Sequence, residues 1–128
     1  AQYILYVDDD DDIADNFISE IYNAIKKHKK VHCITFNARV IFENGKDFVY
    51  VFGLEYTKYS FSDGVYYRPP GHLCAIRREL VIDYKFKEYM KENDRGSDVE
   101  WATQLVTNRV LRSEAHIDST LYYYYRKN

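Results

Sequence analysis

What the chain does not have narrows it first. No apolar stretch approaches the roughly 18 residues that a membrane-spanning helix needs, so no membrane segment is expected. Basic residues form only isolated pairs such as Lys29-Lys30 and Arg77-Arg78, against a formal net charge of -2. That balance carries no electrostatic footprint for nucleic acid and no basic patch for an anionic membrane surface. Cysteine is limited to Cys33 and Cys74, both in apolar, strand-like surroundings. They read as buried free thiols of a reducing compartment. With no signal peptide read at the start, the expected location is cytoplasmic. No internal repeat, low-complexity linker or domain boundary interrupts residues 1–128, which read as a single domain or part of one. An initiator methionine is also missing, and a strong strand begins within two residues of Ala1. A fragment of a larger domain is therefore expected.

Aromatic residues are abundant instead: 14 Tyr, 7 Phe and 1 Trp. Tyrosine suits walls that are apolar in body and polar at the tip, as in a carbohydrate-facing cleft, and it is also a good strand residue. The most informative stretch is Tyr3-Ile4-Leu5-Tyr6-Val7 running into Asp8-Asp9-Asp10-Asp11-Asp12. The apolar run predicts a central buried strand over Tyr3 to Val7. The carboxylates at its exit cannot enter the core, because an isolated buried charge costs several kcal/mol. Clustered where the strand ends, they suit a hard divalent cation that takes oxygen ligands. The plainer alternative is an acidic loop that caps the next helix.

From about Ala14 to Lys29, Phe17, Ile18, Ile21, Tyr22 and Ile25 recur at helical spacing. Asp11 or Asp12 could cap this helix, and its terminal lysines suit the C-terminal dipole. Val31 to Phe42 reads as a strand, Glu43-Asn44-Gly45-Lys46 as a hairpin turn, and Asp47 to Phe52 as its return. Leu54 to Tyr67 shows no clear period and is expected to be a long functional or mobile segment. His72 to Ile76 predicts a short buried strand feeding a short helix around Arg78 to Asp83. Lys85 to Arg95 is charged and expected to be exposed. Ser97 and Glu100 form an S-x-x-E capping box opening a helix with Val99, Ala102, Leu105 and Val106 on one face. Ala115 to Ile117 and Leu121 to Tyr125 predict a strand pair or one bent strand.

Four of these segments, in this order, resemble the family-2 type of GT-A-fold glycosyltransferases. Tyr3 to Asp11 is similar to that family's hhhhD-x-D-D segment. Pro70-Gly71-His72-Leu73-Cys74-Ala75-Ile76-Arg77-Arg78-Glu79-Leu80 resembles its acceptor-side strand. Gly96-Ser97-Asp98-Val99-Glu100-Trp101 resembles its GED-x-[DE]-hh segment, with Ser97 where Glu is usual. Leu121 to Arg126 resembles its closing strand. The resemblance implies an α/β fold, a Rossmann-like GT-A mixed sheet flanked by helices and lacking its N-terminal nucleotide-binding half. It implies metal-dependent, inverting transfer of a sugar from a nucleotide-sugar donor to a carbohydrate or other hydroxyl acceptor.

Carried over by position, the resemblance makes Asp8 and Asp10 the D-x-D pair. Asp10 would bind Mn²⁺ or Mg²⁺ directly, and Asp8 would contact the ribose or a metal-bound water. Arg126 would meet the diphosphate. Asp98 would be the general base toward the acceptor hydroxyl, although a carboxylate in a first helical turn is also favoured by the dipole alone. Gly71, His72 and Trp101 would lie on the acceptor side. His72 and His116 are open as metal ligands, acceptor contacts or ordinary structural histidines. Trp101, Tyr66 and Tyr67 are open as sugar-stacking or core rings.

Two other functions compete. A haloacid-dehalogenase-type phosphatase also places D-x-D after a strand, with the first Asp as nucleophile. Its later acidic motif follows an apolar strand, whereas Asp98 and Glu100 follow Lys-Glu-Asn-Asp-Arg. A non-catalytic metal- and carbohydrate-binding module would bind the cation with no dependence on a sugar nucleotide. Asp8 to Asp12 does not follow the D-x-[DN]-x-[DN]-G spacing of a helix-loop-helix calcium site.

Overall fold

The computed structural model describes residues 3–82 and 97–127, with 97–100 described by backbone alone. In chain order the elements are β1 (Tyr3–Ile4), β2 (Asp12–Ile13), α1 (Phe17–Lys27), β3 (Cys33–Phe42), β4 (Asp47–Phe52), β5 (Ser60–Ser62), β6 (Val65–Arg68), β7 (Ala75–Arg77), α2 (Arg78–Val81), α3 (Ser97–Thr107) and β8 (Glu114–Arg126). The result is a mixed α/β fold built on an eight-stranded mixed sheet. Among the described residues, no helix is long and apolar enough to cross a membrane.

The sheet is organised on β3. Its β-branched and aromatic side chains fit a pleated, packed surface, and its first four residues are all buried. One edge of β3 pairs in parallel with β8, from Cys33↔Glu114 to Phe42↔Arg126. The other edge pairs antiparallel with β7 through Cys33 and Ile34, then with β4 from Asn37 to Ile41. β1 lies outside β7 and β2 outside β8, while β6 runs parallel to β4 with β5 beyond it.

This layout corrects the expectation for Tyr3 to Val7. Only Tyr3–Ile4 is strand, paired on one side with β7, and Tyr6 and Val7 are 48% and 44% exposed. Past Ile4 the chain leaves the ladder, and the Tyr6 N–H donates instead to the His72 carbonyl at 2.9 Å. The central position belongs to β3, which is flanked on both edges.

The first helix also starts later than its periodicity suggests. Asp12 and Ile13 pair with Tyr123 and Tyr122 as β2, which withdraws them from helical geometry. Neither Asp11 nor Asp12 caps α1; Asn16 holds the cap position without a side-chain bond. The segment from Leu54 to Tyr67 is not wholly irregular either. It contains the β5–β6 hairpin, whose Asp63 and Gly64 take φ of 53° and 78°. Asp-Gly is a strong signal for such a turn, because both central residues need positive φ.

The short strand expected over His72 to Ile76 comes later, since residues 72–74 are taken up by a turn in which the Cys74 N–H donates to the Gly71 carbonyl at 3.0 Å, and only Ala75–Arg77 is strand. Other local expectations hold. The 43–46 hairpin turns on Gly45 at φ 88°, α2 and α3 follow where the sequence places them, and the end of the chain is one bent strand. The charged stretch from Lys85 to Arg95 lies outside the described residues, as do the side chains of the Ser97–Glu100 capping box.

Helices pack on both faces of the sheet. Phe17 and Ile21 of α1 join the core that holds Ile34, Phe36 and Ala75, with Phe17 edge-on to Phe36 at 5.7 Å. Trp101 and Leu105 of α3 join Cys33 and Ile76, the alternate residues of the same strands. Successive strand residues face opposite sides, so the helices form layers above and below.

A bulge in β8 sets which of the C-terminal tyrosines face the core. Pairing steps from Phe36↔Ile117 to Asn37↔Thr120 and then to Ala38↔Tyr122. Before it, Ala115 and Ile117 face the α1 core; after it, Tyr122 and Tyr124 do. Extra residues in one strand shift its side-chain phase, and this shift turns two tyrosines inward.

Candidate functional site

Leaving β1, the chain crosses Leu5 to Val7 and makes a tight turn in which the Asp11 N–H donates to the Asp8 carbonyl at 3.1 Å. The turn folds the acidic run back on itself. Asp8, Asp10 and Asp11 each bring one carboxylate oxygen within 4.8 Å of the others. Like charges about 4 Å apart repel by roughly 1 kcal/mol in water and about 4 kcal/mol near a protein surface. Asp12 is not in the group; its Oδ1 accepts from the Ile13 N–H at 2.8 Å within β2.

The inward-facing Tyr122 anchors the turn. Its hydroxyl accepts from the Asp8 N–H at 3.1 Å and donates to Asp11 Oδ2 at 2.8 Å. Burial pushes the Tyr122 phenol up, so it stays a neutral donor near pH 7. The Asp11 side chain is fully buried. Loss of water raises its carboxyl above the ordinary range, an effect opposed by the Tyr122 bond, the Arg126 charge and the Tyr125 N–H, and reinforced by Asp10. Arg126 Nη1 sits 3.4 Å from Asp11 Oδ1, with its guanidinium 4.8 Å over the Tyr124 ring. On the other side, His72 Nε2 lies 3.4 Å from Asp8 Oδ1. The same His72 lends its backbone carbonyl to Tyr6.

Four of the residues singled out in the sequence thus meet here: Asp8, Asp10, His72 and Arg126. Gly71 is buried in the adjoining turn, where a β-carbon would lie 3.8 Å from that of Ala102. α3 therefore passes the His72 turn closely. Asp98 is the second residue of that helix, and its side chain lies outside the described residues. Trp101 is 2% exposed among Cys33, Ile76 and Leu105, so its ring is core and offers no face to a sugar. Tyr66 packs between Tyr50 and Phe61, and Tyr67 against Tyr56.

His116 belongs to a separate cluster. Its Nδ1 is 2.8 Å from Thr35 Oγ1, and that hydroxyl donates to Glu114 Oε2 at 2.7 Å. An ionised carboxylate only accepts, so the Thr35 proton goes to Glu114 and His116 Nδ1 is the donor to Thr35.

Two members of the site are not evident in the sequence. There Asp11 reads as one carboxylate of the acidic run or a helix cap, with nothing to set it apart from its neighbours, and Tyr122 only as one of four consecutive tyrosines. Alternation along 121–125 marks which tyrosines share a face; the bulge decides which face that is.

An all-oxygen donor set of three carboxylates fits a hard cation such as Mn²⁺ or Mg²⁺ and not a soft one. Asp11 is already engaged by Tyr122 and Arg126, which leaves Asp8 and Asp10 as the more available ligands. Binding through one or two carboxylates, with further positions left for water and phosphate, is the usual Mg²⁺ arrangement. No family model matches this sequence, and a search of curated proteins finds no match to it.

Proposed function

We propose that this chain is the metal-to-acceptor portion of a GT-A-fold glycosyltransferase that moves a sugar from a nucleotide-sugar donor to an acceptor hydroxyl with inversion. The observation that carries the reading is the convergence of Asp8, Asp10 and Asp11 within 4.8 Å at the exit of β1. Asp8 and Asp10 would hold Mn²⁺ or Mg²⁺, which when bound supplies Lewis-acid neutralisation of a departing diphosphate. Arg126, with a side chain 42% exposed, adds a fork of donors for a diphosphate oxygen. His72 holds the Asp8 carboxylate from the acceptor side. Asp98 takes the proton from the acceptor hydroxyl as it attacks.

The test is release of nucleoside diphosphate from a panel of nucleotide sugars by the complete protein, with and without manganese. Turnover should require the cation, vanish in Asp10→Ala, and fall about a hundredfold or more in Asp98→Asn, with donor affinity retained in the latter. Near-normal turnover in Asp98→Asn would remove the base assignment.

A second reading, a metal- and carbohydrate-binding module without turnover, is favoured by one feature. Phe61, 52% exposed, stands 4.4 Å from Tyr66 on an aromatic sheet face. Manganese binding without donor dependence would select it.

A further inference from the structure

In β6 the sequence Val65-Tyr66-Tyr67-Arg68 ends an aromatic strand on a cation, and alternation puts Tyr66 and Arg68 on one face. Arg68 is 8% exposed. Its guanidinium lies 4.5 Å from the Tyr59 ring, 5.0 Å from Phe52 and 5.4 Å from Tyr50. Nη1 donates to the Tyr124 hydroxyl at 3.2 Å and Nη2 to the Tyr59 hydroxyl at 2.6 Å. Nε is buried without a hydrogen-bond partner. Among the described residues, no carboxylate forms an ion pair with it.

This is an expensive arrangement if it serves packing alone. Guanidinium is charged at every physiological pH, and a buried ion without a counter-charge costs several kcal/mol. Aromatic faces recover part of that, yet an apolar side chain would fill the space without the penalty. The geometry of the unused donor is informative. Nε and Nη2 share one edge of the planar fork, the edge that grips two oxygens of a carboxylate or phosphate. Tyr59 offers that edge a single hydroxyl oxygen, so one prong is filled and the other is not. Tyr59 is itself 37% exposed, so the residue that fills this prong reaches the surface.

We propose that Arg68 is an anion-binding site that takes a carboxylate or phosphate group on its Nε–Nη2 edge, displacing the Tyr59 hydroxyl. A sugar ring carrying that group would find Tyr50 and Tyr66, 5.0 Å apart, on the same sheet face. The ligand class is an acidic sugar, either a uronate or a sugar phosphate. Tyr124 joins this site to the acidic turn, since its ring lies tilted 5.0 Å from that of Tyr122 and under Arg126. The site needs neither the acidic run nor a divalent ion, so it stands apart from the glycosyltransferase reading.

The experiment is NMR or calorimetric titration of the protein, without divalent metal, using D-glucuronate, inorganic phosphate and neutral D-glucose. Glucuronate, phosphate or both should bind with Kd on the order of 1 mM or tighter, and glucose far more weakly. Which anion binds better identifies the source of the oxyanion. Tyr59→Phe keeps the ring and removes the competing hydroxyl, so it should bind about tenfold more tightly, a 1.4 kcal/mol effect. Arg68→Lys keeps the charge without the fork and should abolish binding. Failure of both anions to bind wild type and Tyr59→Phe would overturn the proposal, as would binding equal to that of glucose or binding retained in Arg68→Lys. Tyr59→Phe alters a partly exposed residue, so the test survives even if Arg68→Lys does not fold.

Discussion

Removing one oxygen atom tests how the acidic turn is held. Tyr122→Phe leaves the buried ring in place and deletes the hydroxyl that ties Asp8 and Asp11 to β8. The bond donated to the Asp11 carboxylate is charge-assisted and contributes about 1.5–3 kcal/mol; the bond accepted from the Asp8 N–H contributes about 1 kcal/mol. Together the loss should be about 3 kcal/mol. For a chain of this size that corresponds to a fall in Tm of roughly 10 °C.

The pH dependence is the sharper part. Asp11 titrates above its ordinary value of 3.8 in the folded protein, chiefly because burial strips its water. Between the unfolded and folded values the folded state binds more protons, so stability falls as pH rises through that window. The Tyr122 hydroxyl stabilises the ionised form; without it the folded value climbs further and the fall with pH deepens. Tyr122→Phe should therefore destabilise more at about pH 7 than at about pH 4. Thermal melts of both proteins from about pH 3.5 to about pH 8, with and without manganese, read this directly. If the turn holds the proposed cation, saturating manganese should stabilise the ionised carboxylates and restore part of the lost Tm. A mutant that melts with wild type, or that loses equally at both pH values, would refute the role given to Tyr122.

Three further outcomes rest on the same contacts. Manganese affinity should drop in Asp10→Ala and stay unchanged in Asp12→Ala, because Asp12 is committed to β2 and lies outside the carboxylate group; equal losses by calorimetry would indicate a diffuse acidic loop. Trp101→Ala should cost about 3–5 kcal/mol in denaturant unfolding, as expected for a fully packed indole, whereas a stacking residue would leave stability largely intact. Burial pushes the Cys74 thiol up to about 12, and the Cys33 thiol is raised by the same cause, so a thiol reagent should label neither in the native protein under mildly alkaline conditions and both after unfolding.

The parts of the fold that can be read from the sequence are those set by local pattern. The run from Cys33 to Phe42, the Gly45 turn, the period of α1 and the start of α3 all carry their own signal in spacing and turn chemistry. The order of strands in the sheet carries none. Tyr3 to Val7 is the more apolar run, yet β3 takes the centre because two different strands can share one of its edges while β8 takes the other. The same competition sets the start of α1, where pairing of Asp12 and Ile13 with β8 delays to Phe17 a helix expected from about Ala14. The β5–β6 hairpin is a different case. Asp63-Gly64 announces it, but the surrounding tyrosines and serines hide the alternation.

For the site, the division falls between residues that announce chemistry and residues that arrange it. A strand ending in Asp8-x-Asp10 is conspicuous, and His72 and Arg126 stand in recognisable segments. The bond between Tyr122 and Asp11 becomes visible only when two irregularities act together: the tight turn that bonds Asp11 to Asp8, and the bulge that rotates the end of β8. Unbroken alternation from Ala115 and Ile117 would turn Tyr123 and Tyr125 toward the core that here holds Tyr122 and Tyr124. A register feature far along the chain from the carboxylates thus decides whether one of them is anchored, desolvated and raised in pKa. The same rotation carries Tyr124 onto Arg68. The acidic turn and the buried cation are therefore two consequences of one bulge. That bulge is pinned at the step itself, where Asn37 Nδ2 donates to Asp118 Oδ1 at 3.0 Å. Asp118→Ala removes the pin without touching either site. Manganese affinity and anion affinity should then fall together, whereas loss of one with the other intact would show that the two sites are positioned independently.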